Sequence, residues 1–282
     1  MRLLITGARG VLGTELVDRA SRLGLEVHAT DIDEMDVTDR VAVESVVGSL
    51  RPEVILHCAA YTAVDRAEEE PDAAVRVNRD GTRNVARAAA EVGSLLVYLS
   101  TDYVFDGEKR SPYLPEDPPN PQGAYARSKL AGEEEAAVAG GEWLMVRSGW
   151  LYGSGGKNFV DTILGVAEER GSVKVVSDQK GRPTWVGSLA PTILDLLAMG
   201  ARGIYHAADR GEATWLELAE KALALAGIEA VVVPVSTEEW GAPAPRPEYS
   251  VLELEKVESL LSRAMPRWED SLRHYLEEGL SR

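Results

Sequence analysis

The sequence predicts an α/β protein: a doubly wound, mostly parallel sheet with helices on both faces, and a smaller C-terminal α/β lobe. Three observations predict it. Apolar runs of strand length alternate with helical periodicities through the first 150 residues. A glycine-rich turn, Gly7, Gly10 and Gly13, stands between the first such run and the first helix. The polar motifs Gly7, Ala59-Ala60, Ser100-Thr101 and Ser148-Gly149-Trp150 all follow strands, where the ligands of such a sheet bind.

Taken in order, Leu3-Leu4-Ile5 reads as a buried strand and Thr14 to Leu23 as a helix stopped by Gly24. Leu25 to Thr30 is a second strand, Val41 to Leu50 a helix, and Val54 to Cys58 a third strand. One long helix is expected from Pro71 to Val92, then a strand from Leu95 to Ser100. Glu108 to Gln122 holds five prolines and no periodicity, as an ordered loop over a site would. A helix from about Tyr125 to Val138 and a strand from Leu144 to Arg147 complete the alternation, which implies right-handed crossovers. After Trp150 the pattern loosens. Val173 to Val176 and Val231 to Val233 read as strands, Trp215 to Ala226 as a helix, and a Pro-rich stretch, 242–247, precedes a last helical region. The division expected is 1–150 plus about 183–203 as a dinucleotide-binding domain, and 151–182 with 204–282 as a substrate-binding lobe.

Bulk composition narrows the class. With 282 residues and 45% hydrophobic content the chain can bury a large core, and no apolar run approaches the length of a bilayer span. The strand-length start is no signal peptide, and the single cysteine, Cys58, excludes an internal disulfide framework; a cytoplasmic location is expected. A net charge of −16 argues against nucleic acid as a partner. It also requires that any polyanionic ligand be held by local basic groups or backbone N–H groups.

The glycines stand where missing side chains let the backbone turn tightly beside a pyrophosphate, at a helix N-terminus that offers free N–H groups. Gly7, Arg9, Gly10, Val11, Leu12 and Gly13 are therefore candidates for binding a dinucleotide. Asp31, after the second strand, favours NADH through the adenosine ribose, whereas Arg9 could meet the 2′-phosphate of NADPH or be a solvated loop charge. NADPH and NADH both remain open. Tyr125 and Lys129, four residues apart, share one helix face. An unperturbed phenol is a sluggish acid at neutral pH, and a nearby ammonium is expected to lower its pKa. Thr101 would hydrogen-bond and polarise a substrate carbonyl. Together they form the candidate catalytic set for carbonyl–alcohol redox chemistry.

The glycine turn with Tyr-x-x-x-Lys resembles the short-chain dehydrogenase/reductase superfamily, in its extended, nucleotide-sugar branch with a Rossmann-like fold. Ala59 to Asp65, Ser100 to Phe105, Asn120-Pro121, Leu130 to Glu133, Arg147 to Gly153, Lys157 to Phe159, Asp178 to Thr184 and Arg246-Pro247 are similar to the dTDP-4-dehydrorhamnose reductase family. The resemblance covers almost the whole chain. It implies NAD(P)H-dependent reduction of the C4 ketone of dTDP-4-dehydro-L-rhamnose, with Tyr125 as proton donor. Cofactor contacts from Ala59, Ala60, Tyr61, Ser100, Tyr125 and Lys129 are implied, and substrate contacts from Thr101, Asp102, Tyr103, Tyr125, Trp150, Asn158, Arg182 and Arg246.

Alternatives stand beside these roles. The related 4,6-dehydratases carry Thr-Asp-Glu; here Tyr103 replaces the second acid, which disfavours dehydration, and Asp102 could simply cap its turn. Trp150 could pack the lobe interface, and Asn78 could satisfy backbone groups beside the catalytic helix. Some relatives hold a bridging magnesium through glutamates; Glu15 fits one position, but Trp185 to Ser188 lacks the partner acid, and no metal ligand is assigned. A monomer or homodimer is expected. Rival functions are reduction of another nucleotide 4-keto-sugar, or non-catalytic binding like that of the regulatory subunit of methionine adenosyltransferase.

Overall fold

The computed structural model describes residues 1–280. Arg2–Thr6 (β1) runs through the glycine turn into Val11–Arg22 (α1), and Glu26–Thr30 (β2), Arg40–Leu50 (α2) and Val54–His57 (β3) follow. Two short helices, Arg66–Glu69 (α3) and Pro71–Val75 (α4), precede Thr82–Val92 (α5), Leu95–Thr101 (β4), Ala124–Val138 (α6) and Trp143–Ser148 (β5). Beyond β5 come Leu151–Tyr152 (β6), Phe159–Arg170 (α7), Ser172–Val176 (β7), Lys180–Gly181 (β8), Thr184–Trp185 (β9) and Val186–Ala198 (α8). The chain continues with Gly203–His206 (β10), Ala213–Thr214 (β11), Trp215–Ala226 (α9), Val231–Val235 (β12), Thr237–Trp240 (α10), Glu255–Leu261 (α11) and Trp268–Leu280 (α12).

Six strands form the main sheet in the order β10-β5-β4-β3-β1-β2, and every pairing in it is parallel. Such a sheet must be covered on both faces, which is why its inner strands β1, β3, β4 and β5 read as largely apolar runs. Leu3, Ile5, Leu56, Val97 and Val146 face one layer, shared with Leu16 of α1 and Leu189 and Ile193 of α8. Leu4, Ile55, Leu96 and Tyr98 face the other, against Val43 and Val47 of α2 and Val85 of α5. The strand order reverses between β1 and β3, so a crevice opens beyond their carboxyl ends. There the backbones meet closely: a Cβ on Gly7, which has φ +64°, would lie 2.6 Å from the Ala59 nitrogen.

Three expectations need correction. The helix expected over 71–92 is interrupted, because Arg76–Gly81 forms a π-helical turn between α4 and α5. Its extra residue turns Asn78 inward, where the side chain is wholly buried, and such bulges often mark functional sites. Second, β10 is the sixth strand of the main sheet, so 204–206 belongs with the first domain and not with the second lobe as expected. Leu254, Val257 and Met265 also join the main core, so the second-lobe segment returns to the first domain twice. Third, α7 was not expected at all. Residues 281 and 282, the end of that lobe assignment, lie outside the described residues.

The rest of the second lobe is built on β7 and β12, paired in parallel. Ile163, Ala167, Ala219 and Leu223 of α7 and α9 cover this pair. From it the chain returns across the mouth of the first domain. Lys180 exchanges backbone hydrogen bonds with Glu248 and Ser250, and Tyr113 with Val251 and Glu253. This strap, 242–253, seals one side of the candidate site.

Candidate active site

At the N-terminal turn, α1 starts without a side-chain cap and without an acid in its first turn. Its amide groups are therefore left for an anion. A Cβ on Gly13 would lie 2.2 Å from the Gly7 carbonyl oxygen, so only glycine fits there. These features suit a dinucleotide pyrophosphate. Asp31, just past β2, accepts a hydrogen bond from the Arg9 amide (2.9 Å) and so is tied to the turn. The Arg9 guanidinium pairs with Asp33 at 2.7 Å and Glu34 at 3.0 Å. The two residues whose signals conflicted thus meet, with Arg9 already neutralised by acids.

Beneath the crevice a buried chain of hydrogen bonds connects the turn to the catalytic helix. Thr82 gives its only hydrogen to the Asn78 carbonyl (2.6 Å) and must accept from His57 Nε2 (3.1 Å). His57 Nδ1 then accepts from Thr6 (2.7 Å). Burial holds this imidazole neutral, bringing its pKa down to about 3. Asn78 accepts from the Tyr61 amide (2.8 Å) and donates to the Tyr61 carbonyl and to Ser128 Oγ (2.9 Å). Satisfying backbone groups beside the catalytic helix is what Asn78 does.

Thr101 ends β4, and Tyr125 and Lys129 share one face of α6. The three come together with Tyr103, whose ring meets that of Tyr125 edge-on at 6.3 Å between centroids. The expectation that Lys129 lowers the phenol pKa is not met. Burial pushes Tyr125 up to about 12, and only Thr101 pulls it back down. The ammonium instead donates to the Leu99 carbonyl (2.7 Å) and lies 4.2 Å from the Tyr98 ring centroid. Burial brings Lys129 down to about 7, opposed by the charge of Glu133.

Several other expected contacts are spent elsewhere. Ser100 donates its hydroxyl to Glu133, so it offers none to a cofactor. Trp150, at φ +53°, stacks on Trp215 with centroids 3.5 Å apart and fills the aromatic core of the second lobe. This is the packing alternative rather than an open sugar contact. Asn158 caps α7, accepting from the Asp161 amide and donating to the Gly153 carbonyl, both inside the lobe. Arg182 donates to the Leu252 and Gly211 carbonyls and clamps two backbone segments. Arg246 does reach the mouth: it forms a bidentate pair with Asp65 (2.8 and 2.9 Å). Asp102 is buried, with its carboxyl between Thr101 and Ser250.

Sequence reasoning missed three positioning residues. Glu133 joins Ser100 of β4 to Arg147 of β5 from one turn beyond Lys129. Glu68 caps the catalytic helix by accepting from the Ala124 amide (2.6 Å), and Ser250 reaches Asp102 across 148 residues. No local spacing signals partners so distant in the chain. Glu133 alone had a signal, a carboxylate four residues after Lys129 on the same helix face.

Known proteins resemble the chain over nearly its full length. Residues 1–281 match the family described as the RmlD substrate binding domain. The dTDP-4-dehydrorhamnose reductase of Streptomyces griseus is 41% identical over 96% of this chain and 91% of its own length. The dTDP-4-keto-6-deoxy-D-glucose reductase of Streptomyces niveus is 40% identical over 89% of this chain and 88% of its own. Among solved structures, the dTDP-4-dehydrorhamnose reductase of Bacillus anthracis in complex with NADP superposes with a TM-score of 0.95. It is 41% identical and covers 98% of this chain and 99% of that one. The match along residues 1–281 and relatives about 40% identical over nearly the whole chain show that it belongs to the dTDP-4-dehydrorhamnose reductase family.

Proposed function

We propose that the chain reduces the C4 ketone of dTDP-4-dehydro-L-rhamnose to the alcohol of dTDP-L-rhamnose, with Tyr125 as the proton donor. The observation that carries this reading is the meeting of Thr101, Tyr125 and Lys129 beside the switch point of the sheet. Relatives named for this activity, similar over nearly the full chain, support it. When bound at the glycine turn, NADPH or NADH supplies the hydride.

Each side chain then has a definite task. Tyr125 is held neutral by burial, so its hydrogen is in place to pass to the oxygen as negative charge develops there. When protonated, Lys129 gives one hydrogen to Leu99, which leaves two for a cofactor ribose and a positive charge beside the site. Thr101 hydrogen-bonds the substrate oxygen and orients it. Tyr103 and Arg246, on the strap side, contact the sugar nucleotide and place a cation near its phosphates. Asp102 has no second acid beside it, so elimination of water lacks its base.

The reaction belongs in the cytoplasm, carried out by a monomer or homodimer on a small nucleotide-sugar without nucleic acid or membrane. Among the described residues no helix is long and apolar enough to cross a membrane. A second reading, a dTDP-4-keto-6-deoxy-D-glucose as substrate, is favoured by the Streptomyces niveus relative. Oxidation of NADPH or NADH against both enzymatically made keto-sugars, with product configuration read by NMR, separates the two. Turnover of neither sugar contradicts both readings.

A further inference from the structure

The hydrogen-bond count at Thr101 raises a question that the catalytic set alone does not answer. A threonine hydroxyl has one hydrogen and two lone pairs. Thr101 Oγ1 accepts from the Tyr103 amide (3.2 Å) and gives its hydrogen to Asp102 Oδ1 (3.1 Å). In that arrangement no hydrogen remains for a substrate ketone. The other carboxyl oxygen, Asp102 Oδ2, accepts from Ser250 Oγ at 2.5 Å. With Ser250 still donating to Oδ2, a neutral Asp102 carries its own hydrogen on Oδ1, facing Thr101. Thr101 then accepts twice, and its hydrogen is free.

We propose that Asp102 is a positioning residue that sets the direction of the Thr101 hydrogen: the neutral acid frees it for the substrate oxygen, and the carboxylate takes it. The proposal rests on the reading of Thr101 as the group that hydrogen-bonds that oxygen. No proton leaves Asp102 in the reaction, since the hydrogen added to the product oxygen comes from Tyr125.

The surroundings favour the neutral acid. Asp102 is 2% exposed, and among the described residues it forms no ion pair. Tyr103 adjoins it in the chain, Tyr125 faces it from α6, and Ser250 faces it from the strap. Behind it lies Gly149, where a Cβ would meet the carboxyl carbon at 2.4 Å, so the side chain has no room to turn away. The strap's cation, Arg246, is paired with Asp65. Burial without a cation raises the carboxyl to about 7, against the pull of the Ser250 and Thr101 hydrogen bonds. Both states are then populated near neutrality.

The test is the pH dependence of kcat for the full chain with reduced cofactor and keto-sugar. Asp102→Asn places an amide N–H toward Thr101 and an oxygen toward Ser250, which is the neutral acid's pattern at every pH. The ratio of kcat at about pH 9 to kcat at about pH 6 should rise about tenfold or more over wild type, with one ionisation lost from the alkaline limb. In a Thr101→Val background the same change should leave the profile as it was. An unaltered limb in Asp102→Asn overturns the proposal, as does the same shift in the Thr101→Val background. If Asp102→Asn does not fold, Ser250→Ala removes a hydrogen bond to the carboxylate and should move the limb to higher pH; an unmoved limb overturns the proposal. A wild-type chain that turns over no keto-sugar contradicts the functional reading itself, which is a different result from an unshifted profile.

Discussion

Glu133 and Arg147 form an ion pair sealed between the catalytic helix and β5, with Nη2–Oε2 at 2.6 Å and Nε–Oε1 at 2.9 Å. Both side chains are at most 5% exposed. The pair sits one helical turn from Lys129 and also holds Ser100, so it sets the position of α6 against β4 and β5. Desolvation makes such a pair a weak net source of stability, but removing one partner strands a buried charge. Glu133→Ala should therefore cost about 3–5 kcal/mol. Replacing both residues by apolar side chains of similar volume should cost far less. Denaturant unfolding of the two variants checks the difference.

The glycine turn makes a second prediction. Gly13→Ala would drive a Cβ to 2.2 Å from the Gly7 carbonyl and 2.9 Å from the Ala8 Cα, both backbone atoms that cannot step aside. The turn would have to open, and NADPH and NADH affinity should each fall by at least about tenfold, roughly 1.4 kcal/mol. Titration of the reduced cofactor's fluorescence measures this. Gly48→Ala, on the exposed run of α2 with nothing within 4 Å, is the matched control and should bind normally.

A third prediction concerns acid stability. Burial brings His57 and His206 down from 6.5 to about 3, so from pH 6.5 downward the unfolded chain takes up protons that the folded chain refuses. This lowers stability as pH falls. Asp102 and Asp209 act oppositely: raised to about 7 and about 6, they hold protons when folded that the unfolded chain has released. Their contribution grows as pH falls toward the ordinary carboxylate range. The two effects offset each other between about pH 4 and pH 6. Asp209→Asn removes one of the opposing groups. Its stability should fall with acid more steeply than that of wild type, by about 1.4 kcal/mol per pH unit in that window. Equal slopes in denaturant series would refute the assignment.

Much of this was legible in the sequence, for reasons that differ by residue. The inner sheet strands are apolar on both faces and short, so Leu3 to Ile5 and Leu144 to Arg147 read directly as strands. Trp215–Ala226 was bounded to the residue, because Thr214 and Glu217 form a capping box and Gly227 ends the helix in a left-handed conformation. The Thr–Tyr–Lys set was visible because its spacing places the groups on one helix face and one strand end. What escaped was tertiary. Asn158 and Arg182 match a family pattern, and matching cannot tell a ligand from a cap or a clamp. The π-turn that points Asn78 inward, the Asp102–Ser250 contact, and the opposition of Arg9 to Asp33 and Glu34 exist only once distant segments meet. The phenol pKa was misjudged for the same reason: spacing places Lys129 on the Tyr125 face, but Leu99 takes the ammonium.

The central claim, that Tyr125 gives the proton in a carbonyl reduction, is tested most directly by Tyr125→Phe. Oxidation of NADPH and NADH with dTDP-4-dehydro-L-rhamnose would be followed in this variant and in wild type, alongside cofactor binding. The predicted result is a loss of kcat of at least about a hundredfold, with cofactor affinity kept within about threefold. Turnover at the wild-type rate in the phenylalanine variant would contradict the account.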